Sequence, residues 1–409
     1  MYLVLFSLLV TPFAVNGATL KEAFQAARLN MESIKRADQN IEISEQQKSR
    51  AMAGLLPTIN GFANETHIDP PETQGLRAFT LTKQFSVGVR LVQPLIRGGV
   101  LGALDLAKEN ILLSKFQKDA TELNLYQLVI NAYYNLKMSQ NDVKNLEKFL
   151  ALSKDRVSEI RNRAKIGRSR KGELVEAETQ FFNAEAEYQQ SLILLNQSAK
   201  NYEFLTRLKA EEIPELSVIP KAEGSLEFYQ SKIKSRPDIL ATQQQVRATS
   251  NQIEIAKGGH YPALDFIGNY YVDRTGILAS SEWDAGVILT VPFYQGGGVS
   301  ASVKEAVAAK RISELNAYET NRAAERDLNI LYQNYVDVQV QLASLGKALN
   351  KSEEAYTLNK KDYRYGLVTN LDVLQTLNFY IQTKRSFDNL NAFAHMTYKN
   401  LEAAIGVLP

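Results

Sequence analysis

Phe85-Ser-Val-Gly-Val-Arg-Leu-Val-Gln-Pro94-Leu-Ile-Arg-Gly98-Gly99 and Trp283-Asp-Ala-Gly-Val-Ile-Leu-Thr-Val-Pro292-Phe-Tyr-Gln-Gly296-Gly297 are two copies of one pattern. In the first, Phe85, Val87, Val89 and Leu91 alternate with Ser86, Gly88 and Arg90; in the second, Trp283, Ala285, Val287, Leu289 and Val291 alternate with Asp284, Gly286, Ile288 and Thr290. A period of two is the signature of a strand with one apolar face. Each run is about ten residues long, enough for a tilted strand to cross a bilayer, with the apolar set toward lipid and the polar set toward water. The same alternation would suit a half-buried strand of a soluble sheet, so it is the surroundings that decide.

Each run has a preceding partner, Gly54-Leu-Leu-Pro57 with the strand that follows to His67, and Gly259-His-Tyr-Pro262 with the strand that follows to Val272, where Leu264, Phe266, Tyr270 and Val272 share a face. The repetition continues downstream. Ile166-Gly167 followed by Glu173-Leu174-Val175 corresponds to Tyr365-Gly366 followed by Asp372-Val373-Leu374. Phe181, Tyr188, Leu195 and Tyr202 then recur every seven residues, as do Tyr380, Phe387, Ala394 and Leu401, the spacing of helices packed along a coiled-coil seam. Between strands and seams, 101–165 and 299–365 contain no proline and only Gly102 and Gly346 as glycines. Each predicts a helix about 100 Å long at 1.5 Å per residue. The stripes Leu125, Val129, Tyr133, Leu136 and Leu328, Leu331, Tyr335, Val338 are thin, so such helices need neighbours along their whole length.

The chain therefore reads as a signal peptide at 1–17, a first repeat over 18–210 with a helical region at about 19–54 and a strand pair at 57–94, a connecting segment at 211–224 holding Pro214 and Pro220, and a second repeat over 225–409 with a strand pair at 262–292. In the second repeat Arg236-Pro237-Asp238 opens a helix, proline at its start and a carboxylate in its first turn. Each repeat ends in a long helical hairpin, turning at Gly167 and at Gly366. The apolar run Met1 to Val10 is too short to span a bilayer and, with small residues around Gly17-Ala18, fits an export signal, although no Lys or Arg precedes it.

Composition excludes more than it assigns. Among 409 residues, 47 basic and 45 acidic side chains leave a net charge of +2, which gives no basis for a nucleic-acid surface. The absence of cysteine removes disulfides, thiolate metal sites and cysteine nucleophiles. His67, His260 and His395 are scattered, without the spacing of a metal site. Gly296-Gly297-Gly298 lacks the Lys-Ser or Lys-Thr of a phosphate loop and reads as a hinge. No catalytic residue, metal or cofactor is expected.

Four strands cannot close a barrel, and an open sheet edge in hydrocarbon leaves backbone groups unpaired at several kcal/mol each. The strands must be shared between chains: two copies could just close a barrel of about eight strands, and three, the number expected, would leave a real lumen.

With the duplicated order of helix, strand pair and helix, the junctions Pro94 to Gly98-Gly99 and Pro292 to Gly296-Gly297, Arg236-Pro237-Asp238, and Tyr363, Gly366, Asp372-Val373-Leu374, the chain resembles the TolC-like outer-membrane efflux family over nearly its whole mature length. The resemblance implies a mainly α fold with a small membrane β-barrel: an α-barrel of long helices, and four strands per protomer completing a shared barrel in a homotrimer. It implies residence in the outer membrane of a Gram-negative bacterium, in contact with its lipid and with a large periplasmic portion. The function implied is passive conduction in tripartite efflux or type I secretion. The partners implied are a periplasmic adaptor protein and an inner-membrane pump or export ATPase, with no nucleic acid.

By the same resemblance, acidic residues near the turns narrow a closed periplasmic gate. Asp372 matches a family aspartate, Glu173 is its first-repeat counterpart, and Gln375 stands where the family can place a second acid. Asp372 also suits a first helical turn behind an Asn370 cap. The turns Gly167-Arg168 and Gly366-Leu367-Val368 are the expected adaptor-docking sites, with Leu367 and Val368 as exposed apolar contacts. Pro94 and Pro292 are expected to end strand pairing, and Gly98, Gly99, Gly296 and Gly297 to let strand turn into helix. Phe85, Val87, Val89, Leu91, Trp283, Val287 and Leu289 are the expected lipid-facing set. The rival reading is a periplasmic coiled-coil adaptor, which should have one hairpin flanked by β domains rather than two equivalent hairpins and strand pairs.

Overall fold

A computed structural model describes residues 17–69, 83–216, 219, 221–222, 224–275 and 279–409. The expected signal peptide, apart from Gly17, and Pro220 lie outside the described residues. The elements are α1 (Leu20–Asn30), α2 (Glu32–Ala53), β1 (Thr58–His67), β2 (Lys83–Ile96), α3 (Val100–Lys165), α4 (Lys171–Thr206), α5 (Leu226–Lys232), α6 (Pro237–Lys257), β3 (Ala263–Arg274), β4 (Trp283–Thr290), α7 (Gly298–Tyr365) and α8 (Asn370–Ala403). Contacts divide them into two compact units, each drawing on both repeats: the chain up to Lys35 with Ala120–Arg236 and Arg322–Pro409, and Arg36–Asp119 with Pro237–Asn321.

The first unit is helical. Leu125, Tyr126, Val129, Ile130, Tyr133 and Leu136 of α3 form a buried stripe against Phe24 and Ala27 of α1 and Tyr202 of α4. Phe24 and Tyr126 pack with ring centroids 4.9 Å apart, and Tyr133 packs on Tyr134 at 5.3 Å; burial pushes the Tyr133 phenol up to about 12. The seven-residue seams face inward, with Tyr188 and Tyr380 sharing one cluster and Leu195 and Tyr202 another. The connecting segment is tied to α3 by backbone bonds: Lys137 Nζ donates to the Ile213 carbonyl at 3.0 Å, and the Ile213 N–H to Gln140 Oε1 at 3.0 Å.

The second unit carries a four-stranded antiparallel sheet in the order β1-β2-β3-β4. Two register shifts punctuate the β2–β3 joint, at Val87/Gly88 and at Pro94/Ile96. Gly88 is required at the first, since a Cβ there would lie 2.1 Å from the Tyr270 carbonyl oxygen. The expectation that Pro94 ends strand pairing is overturned: β2 runs on to Ile96, and Pro94 pairs with Asp265. Pairing with β1 has already stopped at Val92, so Pro94 sits at a strand margin beside a bulge, where a missing N–H is tolerated. β4 does end short of Pro292, at Thr290. Of the four residues expected on one face of β3, Val272 falls at the first register shift, outside the pairing that aligns Leu264, Phe266 and Tyr270.

Chain crossings at the strand–helix junctions depend on glycine. Gly99 and Gly297 both have φ +81° and both accept the first helical N–H, from Ala103 at 2.8 Å and from Ala301 at 3.1 Å. Gly98 also approaches backbone so closely that a Cβ would stand 2.1 Å from the Gly258 carbonyl oxygen.

Candidate functional site

Residues directly opposite in an antiparallel pair project to the same face, so register sorts the sheet into two surfaces. Phe85, Val87, Val89 and Leu91 lie opposite Glu65, Ala63, Gly61 and Ile59. Val89 also lies opposite Tyr270, which in turn opposes Trp283, and Phe266 and Leu264 oppose Val287 and Leu289. All seven residues of the expected lipid-facing set therefore occupy one face. Trp283, Val287 and Leu289 are 68, 58 and 62% exposed.

The other face is polar and internally bonded. Arg90 Nε on β2 donates to Asn269 Oδ1 on β3 at 2.8 Å, and Asn269 Nδ2 donates to Asp284 Oδ1 on β4 at 2.7 Å. The Tyr271 hydroxyl donates to Asp284 Oδ2 at 2.8 Å, and the Arg90 guanidinium lies 5.2 Å from the Phe62 ring on β1. One side chain from each strand thus joins a continuous line across the sheet. The composition pattern indicated the polarity of this face; the bonded line was not visible in it.

In the helical unit the two hairpin turns are built alike. Gly167 has φ +72° and Gly366 φ +74°. The N–H of Gly167 reaches the Ala164 carbonyl and that of Arg168 the Arg163 carbonyl, as Gly366 reaches Tyr363 and Leu367 reaches Asp362. Both are Schellman caps, with glycine at the left-handed position. Arg168 and Leu367 occupy equivalent exposed positions. Val368 does not join Leu367 at the surface as expected: it is half-buried and packs against Val157, Ile160, Ala177, Tyr363 and Val373.

The cap on α8 also differs from expectation. Thr369, not Asn370, is the N-cap, in a capping box: its hydroxyl oxygen accepts from the Asp372 N–H, and the Asp372 carboxylate accepts from the Thr369 N–H at 2.7 Å. Asn370 is fully buried because its amide is used elsewhere. Its Oδ1 accepts from Arg156 Nε at 2.9 Å, and its Nδ2 donates to the Glu173 carbonyl at 3.2 Å. The first turn has Arg170 at the cap position, which makes no side-chain cap bond. Glu173 instead accepts from the Ser169 hydroxyl and, at 3.5 Å, from the Tyr363 hydroxyl.

Arg156, Tyr363 and Asn370 thus form a buried polar joint between the two hairpins that sequence spacing alone did not reveal. The Arg156 guanidinium lies 3.9 Å from the Tyr363 ring centroid and donates to Glu159 at 2.9 Å; that of Arg163 lies 4.8 Å from the same ring. Asp372 and Glu173 share no hydrogen-bond partner, and Gln375 is exposed one turn beyond Asp372. The Thr369 hydroxyl first, then its N–H, hold the Asp372 carboxyl below its ordinary value. Among the described residues, no group of His, Asp or Glu is placed to hold a metal ion, and no helix is long and apolar enough to cross a membrane.

The family model for outer membrane efflux proteins matches residues 23–204 and 228–407. The chain belongs to the outer membrane efflux protein family. It is 21% identical to the outer membrane protein TolC of Vibrio cholerae, over 97% of this chain and 92% of that protein. It is 22% identical to the toluene efflux pump outer membrane protein TtgC of Pseudomonas putida, over 87% of this chain and 76% of that protein. A membrane protein from Pseudomonas aeruginosa shares the fold with a TM-score of 0.85 at 21% identity, covering 95% of this chain and 90% of that one. As an efflux family member the chain is an outer-membrane channel for efflux or type I secretion, with a large periplasmic helical portion.

Proposed function

We propose that three copies of this chain pool their sheets into one barrel and conduct solutes passively, with substrate and energy supplied by a periplasmic adaptor and an inner-membrane pump or export ATPase. One observation carries this: among the described residues, a four-stranded sheet, apolar on one face and hydrogen-bonded on the other, has β1 and β4 each paired on one flank only. In hydrocarbon those flanks need strands, and copies of the same chain supply them. The protein does no chemistry of its own.

In this reading Phe85, Val87, Val89, Leu91, Trp283, Val287 and Leu289 meet lipid. The Gly167-Arg168 and Gly366-Leu367 turns are the surfaces offered to an adaptor, with Val368 beneath them. Asp372, Glu173 and Gln375 lie near the gate, and the Arg156–Tyr363–Asn370 joint holds the two hairpins together while it is closed. The test is single-channel recording of the purified oligomer in planar bilayers, alongside carbonate washing of outer membranes. Discrete conductance steps and a wash-resistant, heat-sensitive oligomer are expected. A chain that washes off as a monomer and forms no steps is an adaptor or another soluble interaction protein.

A further inference from the structure

The two hairpin turns share a backbone form but not a charge. Residues 157–177, centred on Gly167, hold six basic and three acidic side chains; residues 356–376, centred on Gly366, hold three and two. The rest of the chain carries 38 basic against 40 acidic. Positive charge is therefore collected at the turn end of the helical unit, in a chain whose remainder is slightly acidic.

Helix chemistry accounts for part of this. Arg163 and Lys165 stand in the last turn of α3 and Arg364 in the last turn of α7, where cations complement the carbonyl end of the helix dipole. Arg168, Arg170 and Lys171 lie beyond the first bend, with Arg170 at the N-cap of α4 and Lys171 opening the helix. A helix N-terminus is electropositive and favours carboxylates, so cations there oppose the dipole. The repeat supplies the comparison. In the second copy, 199 positions on, the same places hold Leu367, Thr369 and Asn370, and Thr369 makes a capping box where Arg170 makes no side-chain cap bond. At the start of α4, helix stability is given up for charge.

Nor is that charge consumed by ion pairs. Lys165, Arg168, Arg170 and Lys171 of the first hairpin and Lys361 and Arg364 of the second are exposed, and among the described residues their side chains make no hydrogen bond or ion pair. Three of the five acids are engaged: Glu159 with Arg156 and Arg163, Glu173 with Ser169 and Tyr363, and Asp372 with Thr369.

Resting on the reading of the chain as a channel entered through its hairpin turns, we infer that the entrance selects anionic solutes. Three copies bring 27 basic and 15 acidic side chains to the rim. Charges of one sign around a narrow opening with low-dielectric walls focus a field that concentrates counter-ions there, and at physiological ionic strength this field reaches about 8 Å into the opening. The exposed guanidinium groups of Arg168 and Arg170 match carboxylates and phosphates in shape as well as charge. Organic acids and phosphorylated solutes, with chloride, are therefore the favoured class. Asp372 is a local acid within this basic rim: its carboxylate can hold a cation, while the sum of the rim governs which ions enter.

Reversal potentials test this on the purified oligomer in planar bilayers, first shown to conduct, with potassium chloride at unequal concentrations on the two sides. The reversal is expected toward the chloride equilibrium potential. The preference should shrink as salt rises from about 0.1 to 1 M, where the Debye length falls from about 10 to 3 Å. In the variant Arg168→Gln with Arg170→Gln and Lys171→Gln the reversal should move toward zero, and Arg168→Gln alone, for use where the triple variant does not assemble, should give a smaller shift of the same sign. Wild-type channels that reverse at zero or toward potassium overturn the inference and leave the basic turns to partner docking. A chloride preference that the variants keep in full removes the turns as its source and overturns it as well. Protein that forms no conducting oligomer overturns the channel reading itself, and this inference with it.

Discussion

Arg156 stacks its guanidinium 3.9 Å from the centroid of the Tyr363 ring, joining the first long helix to the second at the base of the hairpin turns. Arg156 is 5% exposed, and it binds both Asn370 and Glu159. Arg156→Ala leaves the buried Asn370 oxygen without its donor and is expected to cost about 1–3 kcal/mol. On the proposed reading of these turns as a gate, the joint between the hairpins should loosen with it. Thermal unfolding of the purified oligomer should shift downward and conductance should rise; an unchanged conductance with lower stability would restrict Arg156 to a structural role.

Thr369 and Asp372 separate helix capping from charge. Thr369→Ala removes the cap, at about 1 kcal/mol, and leaves the carboxylate in place. Asp372→Ala removes the carboxylate and the bonds it accepts from Thr369, and keeps the backbone N–H that the Thr369 hydroxyl caps. If the carboxylate attracts cations at the gate, only Asp372→Ala abolishes cation block in planar bilayers. Equal effects from the two variants would assign the whole contribution to the cap.

The same pair sets a pH dependence. Bonds from Thr369 lower the Asp372 pKa, so its stabilisation is fully present above the unfolded carboxylate value, about 3.9, and is lost as pH falls through the lower folded value. Cation block carried by Asp372 should persist below pH 4. In Thr369→Ala the carboxyl returns toward its ordinary range, and the pH at which block disappears should move upward. Conductance titrations of the two proteins check this.

Val89→Arg places a charge on the apolar face of the sheet and is expected to destabilise the barrel by about 2–4 kcal/mol near the bilayer midplane. Thr290→Arg, on the polar face, should assemble normally. Comparing heat-sensitive oligomers of the two variants tests the orientation of the sheet, and equal assembly would count against it.

Gly98→Ala drives a methyl group against the Gly258 carbonyl oxygen, within 2.1 Å, and should block assembly of the sheet unit. Gly172→Ala, where nothing lies within 4 Å, should be silent. Outer-membrane yields of the two proteins provide the measurement.

The strands, repeats and long helices could be read from the sequence because their signals are local: a period of two at Phe85–Leu91, punctuation at Pro57 and Pro262, helical runs without proline. Pro94 misled because a proline usually marks a strand's end, whereas here a bulge and an absent neighbour make its missing N–H harmless. Thr369 and Asn370 are both good cap residues, and only tertiary demand decides between them. Asn370 is claimed by Arg156, 214 positions away in the sequence. Bonds of that range leave no periodicity to detect, which is why the joint between the hairpins was missed while its turns were found.

The two Schellman turns have one backbone form and different occupants, Arg168 in one and Leu367 in the other. Glycine at the left-handed position fixes the bend, so the next residue can vary in chemistry at no conformational expense. A ligand that grips both turns must therefore carry an anionic patch beside a greasy one, and rotating it by one turn would set each against the wrong tip. On the proposed reading of the turns as docking surfaces, the contrast between Arg168 and Leu367 would set the angular alignment of the partner.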